Sequence, residues 1–273
     1  MITAMPRVAI AVNDWDQALS TFRDALGMPI VDISESSLQS LGAHVAMCVP
    51  EGGSNIELMS PGRPEAPLSQ SLQKFLDRRG QGLFALMLEA PDPDAEAEEL
   101  LARGLDVLPL MEGAGGRDVH PRSTHGVLIR VYPDNSFTDT TDDTSLTPGL
   151  SGISHAIIAV NDVGAAASVY GHGFGLDVSE PELDAERGVM RVVCSPPKGG
   201  QIEFVSPADT TRPFAARIAS FLGERREGMY ALVLRADDPA AAADALEERG
   251  IPVERGEDIA ASVYGARILI KQA

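Results

Sequence analysis

GISHAIIAVNDVGAAASVYGHGFGLDV, Gly152 to Val178, is the stretch on which the fold turns, because the chain opens on a close copy of it. PRVAIAVNDWDQALSTFRDALGMPI, Pro6 to Ile30, matches it without a gap at an offset of 148. Each copy reads as a short strand, an Asn-Asp turn with Asp14 or Asp162 as N-cap, and an amphipathic helix closed by Gly27 or Gly175. The strands alternate: Val8, Ile10 and Val12 oppose Arg7, Ala9 and Ala11, and Ala156, Ile158 and Val160 oppose His155, Ile157 and Ala159. One face can pack under the helix, and the other must line something else.

The repeat continues outward from these copies. Leu41 to Val49 and Asn55 to Ser60 read as paired strands around the turn at Glu51 to Ser54, with extended chain leading into them from Gly27. After a loop and a short helix ending near Arg78, GLFALMLEAPDPDAEAEELLARGLDV (Gly82 to Val107) restarts the same grammar of strand, Asp-Pro turn and acidic helix stopped by Gly104. Extended segments then run to RSTHGVLIRVYP, Arg122 to Pro133. NIELMSP (Asn55 to Pro61) returns as QIEFVSP (Gln201 to Pro207), and KFLDRRGQGLFALMLEA (Lys74 to Ala90) as SFLGERREGMYALVLRA (Ser220 to Ala236), both at an offset of 146. Gly126 matches Gly265 at an offset of 139, so the second half is about seven residues shorter before its last strand. DNSFTDTTDDTSLTPG, Asp134 to Gly149, has the composition of a linker. The expected division is a domain at 1–133, an acidic linker at 134–151 and a second domain at 152–273.

The 273 residues are 44% hydrophobic, enough for two ordinary cores. A formal net charge of -18 argues against nucleic acid or an anionic membrane as partner, since both need a basic surface. No apolar run approaches a membrane span, and Met1 to Met5 leads into a strand rather than a signal peptide, so a cytoplasmic location is expected. Cys48 and Cys194 occupy equivalent positions of the repeat, which favours two buried thiols over a disulfide.

With these motifs the chain resembles the vicinal oxygen chelate superfamily, which includes glyoxalase I, methylmalonyl-CoA epimerase, bleomycin-resistance proteins and extradiol dioxygenases. The VAIAVNDWDQALSTFRDALG opening, the IEL strand and HPRSTHGVLI (His120 to Ile129) carry the resemblance. It implies an α+β fold of four βαβββ modules in two pairs, each pair curling into a half-barrel cup. It also implies a divalent ion in each cup, held by His, Glu or Gln side chains on the first and last strands of the modules. Those positions are Arg7, Glu57, Ala85 and Arg130 in the first half, and His155, Glu203, Ala231 and Leu269 in the second. A catalytic ion needs about three protein ligands. The first set offers one carboxylate, so no metal is expected there. The second offers His155 and Glu203, at most a weak site with residual divalent ion unless Tyr230 or His172 joins them, and no cofactor is expected.

Other chemistry is open to the same residues. Arg7 and Arg130 flanking Glu57 would leave one net positive charge, a clamp for a substrate carboxylate or phosphate, or would merely neutralise Glu57. His155 and Glu203 within hydrogen-bond reach would make a general base, or a satisfied buried pair. Tyr230 joins the candidate substrate-binding residues with Arg7, Glu57 and Arg130. Ser123, Thr124 and His125 could touch ligand or form a turn; His44 and His120 face a cup or its rim; Trp15 is expected to pack, and PDPDAEAEEL to be a solvated face.

Two functional classes follow. One is an isomerase or lyase acting on an enolisable carbonyl or thioester through His155 and Glu203. The other is a protein that sequesters a small, possibly anionic, molecule, as the resemblance to drug-resistance members implies. A dioxygenase ranks third, because one His and one Glu cannot hold iron for oxygen activation. The retention of both His155 and Glu203 favours the enzyme.

Overall fold

The computed structural model describes residues 1–111, 113–144 and 147–273. In the first half, in chain order, β1 (Ala4–Ala11), α1 (Trp15–Ser20), β2 (Ile30–Asp32), α2 (Ser34–Ser40), β3 (Ala43–Cys48) and β4 (Asn55–Pro61) form one unit. The helix α3 (Pro67–Arg79) leads to β5 (Gly82–Ala90), α4 (Pro93–Ala102), β6 (Arg117–Val119) and β7 (Leu128–Pro133). The second half runs β8 (His155–Ala159), α5 (Val163–Ser168), β9 (Asp177–Val178), β10 (Glu182–Asp184), β11 (Val189–Ser195), β12 (Gln201–Pro207) and α6 (Pro213–Arg225). It ends with β13 (Gly228–Ala236), α7 (Pro239–Glu248), β14 (Val253–Arg255), β15 (Ile259–Val263) and β16 (Ala266–Gln272).

Each half is one curved mixed sheet. The first has the order β2-β3-β4-β1-β5-β7-β6, and the second β10-β11-β12-β8-β13-β16-β15-β14, with β9 beside β11. The matching strands of the repeat therefore take matching places in two cups. Asp14 accepts the Gln17 N–H and Asp162 those of Gly164 and Ala165, while Gly27 and Gly175 close the helical segments at φ 66° and 69°. One turn is unlike the expectation: α1 and α5 each run on into a π-helical turn, Thr21–Ala25 and Val169–Gly173.

The alternation sorts the core into layers. Val8, Ile10 and Val12 with Ala156, Ile158 and Val160 face the helices α1, α4, α5 and α7, in one continuous core between the two sheets that includes Phe22, Leu100, Tyr170 and Leu246. The opposite, concave faces carry Ala9, Ala11, Met47, Met59 and Met87 in the first half and Ile157, Ala159, Val205, Ala231 and Leu269 in the second. α3 lays Leu68, Leu72 and Leu76 into the first cup; α6 lays Phe214, Ala215 and Ile218 into the second. Burying a Leu or Ile side chain is worth about 1.5–3 kcal/mol, so each helix is held there firmly.

Three local readings change. Ser34–Ser40 is a helix, not extended chain; its SESSLQS sequence has no apolar stripe, and the turn is held locally by Asp32 accepting the Ser34 N–H and Ser36 Oγ donating to the Ile33 carbonyl. The second module of the first half has β6 and β7 after its helix, with only a bridge of Val107 to Val119 where the fourth module has a full strand. The expected linker also begins inside the first half, since Ser136 bonds Arg7 and Glu89 and Phe137 packs on the concave core. Residues 145 and 146 of that linker lie outside the described residues. Cys48 and Cys194 are free and buried on β3 and β11, and burial pushes both thiols up, Cys194 to about 12.

Candidate functional site

Register decides what can converge in each cup. Across the first sheet Asn55, Arg7, Met87 and Arg130 stand level, with Glu57, Ala9, Ala85 and Leu128 one step along on the same face. Across the second, Gln201, His155, Val233 and Leu269 are level, followed by Glu203, Ile157 and Ala231. The expected β5 and β13 positions, Ala85 and Ala231, are level with Glu57 and Glu203 on the same face, and Met87 and Val233 are the residues level with Arg7 and His155. A thioether or a valine adds no ligand for a hard or borderline divalent ion, and Arg7 and Arg130 put two cations where an ion would sit. These residues do not fit the metal that the fold implies, and no group of three or more His, Cys, Asp or Glu is gathered for one among the described residues.

The first cup holds a buried polar network in which only Arg130 Nε and Asp118 Oδ1 lack a partner among the described residues. Arg7 Nε donates to Glu57 Oε2 at 3.0 Å and Nη1 to Ser136 Oγ at 2.7 Å. Its guanidinium lies 4.5 Å from the centre of the Tyr132 ring, and that of Arg130 lies 5.1 Å from the same ring. Arg130 does not flank Glu57: it donates to Asp118 Oδ2 and to the Ala114 carbonyl, each at 3.2 Å. Two cations meet two carboxylates, so the expected net positive charge is absent. Burial lowers the Arg7 pKa, but Glu57 and Tyr132 outweigh it and raise it overall; burial lifts that of Asp118 despite Arg130. The free space beside Asp118 and Arg130 is about 20 Å³, room for roughly one water.

The second cup does not assemble its dyad. Glu203 is gripped by Arg187, which donates at 2.7 Å to Oε1 and at 3.5 Å to Oε2, and Arg191 stands 3.7 Å away. Arg187 comes from the turn between β10 and β11 and covers the Phe214 ring at 4.1 Å. His155 is half-buried and its Nδ1 meets Ser154 Oγ at 3.1 Å. Burial lowers the His155 pKa; attraction by Glu203 opposes this and repulsion by Arg235 adds to it. The net shift is downward and favours the neutral imidazole.

The remaining candidates separate. Trp15 stacks on His44 at 5.3 Å, and exposed His172 belongs to the turn after α5, outside the cup. Thr124 is buried with its hydroxyl on the Val127 carbonyl, Ser123 Oγ accepts the Asp106 N–H, and His125 pairs with Glu227 of the other half at 2.9 Å. The acidic helix exposes Asp94, Glu98 and Glu99 but buries Ala97 and Leu100 in the core and Glu96 beside the N-terminal amine and Arg103. His120 and Tyr230 lie elsewhere: both line a cleft of about 890 Å³ between the halves.

That cleft opens where the C-termini of α3 and α6 meet. Its apolar wall is Phe75 and Phe84 from the first half, edge-on at 5.2 Å, and Phe221 and Tyr230 from the second, edge-on at 5.5 Å. At its edge the halves touch backbone to backbone: a Cβ on Gly126 would lie 2.0 Å from the Glu227 carbonyl oxygen, and one on Gly265 2.1 Å from that of Gln81. Both glycines have positive φ, so the approach requires them. Of the expected substrate-binding residues only Tyr230 reaches this space. Arg187, Asp118, Tyr132 and Ser136 escaped the sequence reading, because the internal repeat was its guide and these sit where the halves differ.

Half-barrel cups made of paired strand–helix–strand modules define a glyoxalase-type fold. The chain belongs to the Glyoxalase/Bleomycin resistance protein/Dioxygenase superfamily, whose family profile matches residues 7–120 and 154–267. Among solved structures, a mutant 4-hydroxymandelate synthase from Streptomyces coelicolor is similar over 98% of this chain and 91% of its own, with 15% identity and a TM-score of 0.66. A xylose isomerase-like TIM barrel/4-hydroxyphenylpyruvate dioxygenase fusion protein is similar over 100% of this chain and 49% of its own, with 13% identity and a TM-score of 0.63. At such identities the likeness is one of fold. No curated protein sequence matches the chain. No described helix is long and apolar enough to cross a membrane.

Proposed function

We propose that this chain is a small-molecule-binding protein that works without a metal and holds its ligand in the cleft between its halves. The observation that carries the reading is the contrast in free space: about 20 Å³ beside the charges of the first cup against about 890 Å³ in the cleft. Ligand pockets typically run about 300–1,000 Å³ with mostly apolar walls. The cup residues support the same reading from the other side, since Arg7 is already paired with Glu57, Arg130 with Asp118 and Arg187 with Glu203, which leaves only Arg130 Nε and Asp118 Oδ1 without a partner in these pairs among the described residues.

A second reading keeps the enzyme, because His155 is half-buried, shifted toward its neutral form and bonded to Ser154 rather than to Glu203. A lone imidazole of this kind is a general base for a proton next to a carbonyl. Titration with the neutral fluorophore N-phenyl-1-naphthylamine separates the two. The binding reading expects one site per chain, indifferent to EDTA and to His155→Ala, and blocked by Leu128→Trp, which adds bulk at the cleft wall. Binding lost in His155→Ala and kept in Leu128→Trp moves the site to the second cup and restores the enzyme.

A further inference from the structure

We infer that the ligand of the cleft is an amphipathic anion, a flat apolar body lying between the aromatic walls with a carboxylate or phosphate at a cationic rim; this rests on the cleft being the binding site. The rim consists of Lys74, Arg78, Arg79, Arg225 and Arg267, and no carboxylate lines the cleft among the described residues. In a chain of net charge -18, five cations gathered on one opening are the reverse of its average surface. Of the five only Arg267 is in an ion pair among the described residues, with Glu254 at 2.8 Å, and its Nε is buried without a partner.

The other four are exposed, and their charge is not spent inside the molecule. Arg79 Nη1 donates to the Arg225 carbonyl at 3.1 Å and Arg225 Nη1 to the Arg79 carbonyl at 3.4 Å, so each caps the helix of the other half. These bonds use one of the five N–H donors of each guanidinium. The two helix ends contribute about half a negative charge each, against the four cations outside ion pairs, so the opening stays positive. Asp77 and Glu224, the acids adjacent in sequence to Arg78 and Arg225, accept from Gln73 and Ser220, and Asp77 lines the neighbouring groove with Lys74 and Arg78. Paired arginines present planar forks that match carboxylate and phosphate oxygens. The aromatic walls below supply apolar contact to a ring system. A neutral or cationic ligand would use the walls and leave the rim without function.

The test displaces N-phenyl-1-naphthylamine with three compounds that share one ring system: 1-naphthoate, 1-naphthyl phosphate and neutral 1-naphthalenemethanol. Both anions are expected to compete at least about tenfold better than the alcohol, the difference expected of a charge-assisted bond. That preference falls as ionic strength rises. Lys74→Glu combined with Arg78→Glu, both exposed and outside the helix-capping pair, is expected to erase the preference while leaving dye affinity within about twofold. A stronger phosphate than naphthoate marks a phosphorylated ligand, and equal competition marks a simple acid; both keep the inference. If the alcohol competes as well as the anions, or the double variant keeps the preference, the anion assignment is overturned while the cleft remains the site. If the dye itself does not bind, the cleft reading falls with it.

Discussion

The two cups descend from one repeated sequence, yet each is closed by a different hand. In the first, Glu57 is neutralised by Arg7 from the neighbouring strand β1, and Arg130 on β7 by Asp118 on β6, all with side chains no more than 8% exposed. In the second, position 155 is a histidine, and the matching Glu203 is neutralised by Arg187 from a turn, with a side chain 23% exposed. Where the fold would place a cation among acidic ligands, each half supplies an arginine instead, from unrelated places in the chain. A vacated charge site inside a low-dielectric cup has to be rebalanced, and any element within reach can do it.

The difference in burial sets the largest expected effect. Arg7→Met strands Glu57 at 3% exposure and removes a bond to Ser136, and is expected to cost about 3–5 kcal/mol in urea unfolding. Adding Glu57→Leu is expected to recover most of that loss, because an ion pair replaced by apolar groups of similar volume is often neutral or better. Failure of the double variant to recover would mean that Glu57 has another buried partner, and the first cup would return as a candidate site.

Arg187→Met is the matched change in the second cup. Arg191 still lies 3.7 Å from Glu203 and solvent reaches the site, so the expected cost is smaller, about 1–2 kcal/mol. Equal losses for Arg7→Met and Arg187→Met would break the comparison, since burial would then not be what separates the cups.

These pairs mark the limit of what the residues alone revealed. Most of the strands were legible, because alternation and a gapless repeat constrain each other: every match at 146 or 148 fixes two elements at once, and the two cups followed from the resemblance. Glu57 and Glu203 were marked by the resemblance as ligand positions, and Tyr230 as a side chain that could join the second cup, whereas it lines the cleft. Arg187 was not, since it lies in a turn whose counterpart in the first half is the helix α2. Asp118 and Ser136 were hidden differently: one sits on a three-residue strand after an irregular segment, the other in a stretch with linker composition. The cleft was least legible of all. It depends on how two halves meet, through Gly126 at Glu227 and Gly265 at Gln81, and no periodicity within a half encodes that.

The smallest expected effect distinguishes the cups by pH. Arg7 keeps its charge throughout the range in which proteins fold, whereas His155, at the equivalent position, titrates. Burial lowers its native pKa below the ordinary 6.5; Glu203 opposes this, and the repulsion of Arg235 and, more weakly, of Arg187 works against Glu203. As pH falls through 6.5 the unfolded chain therefore takes up this proton before the native one does, and stability declines. The contribution is fully present above that value and is lost below it, until the pH passes the native pKa. His155→Gln is expected to flatten the fall in urea midpoint between neutral and mildly acidic pH, with little change at neutral pH itself. Arg187→Met is expected to flatten it as well, by leaving Glu203 to attract the proton and lift the native pKa toward the unfolded value. A steeper fall in Arg187→Met would show that Glu203 does not govern His155, and a slope unchanged by His155→Gln would assign the acid sensitivity to other groups.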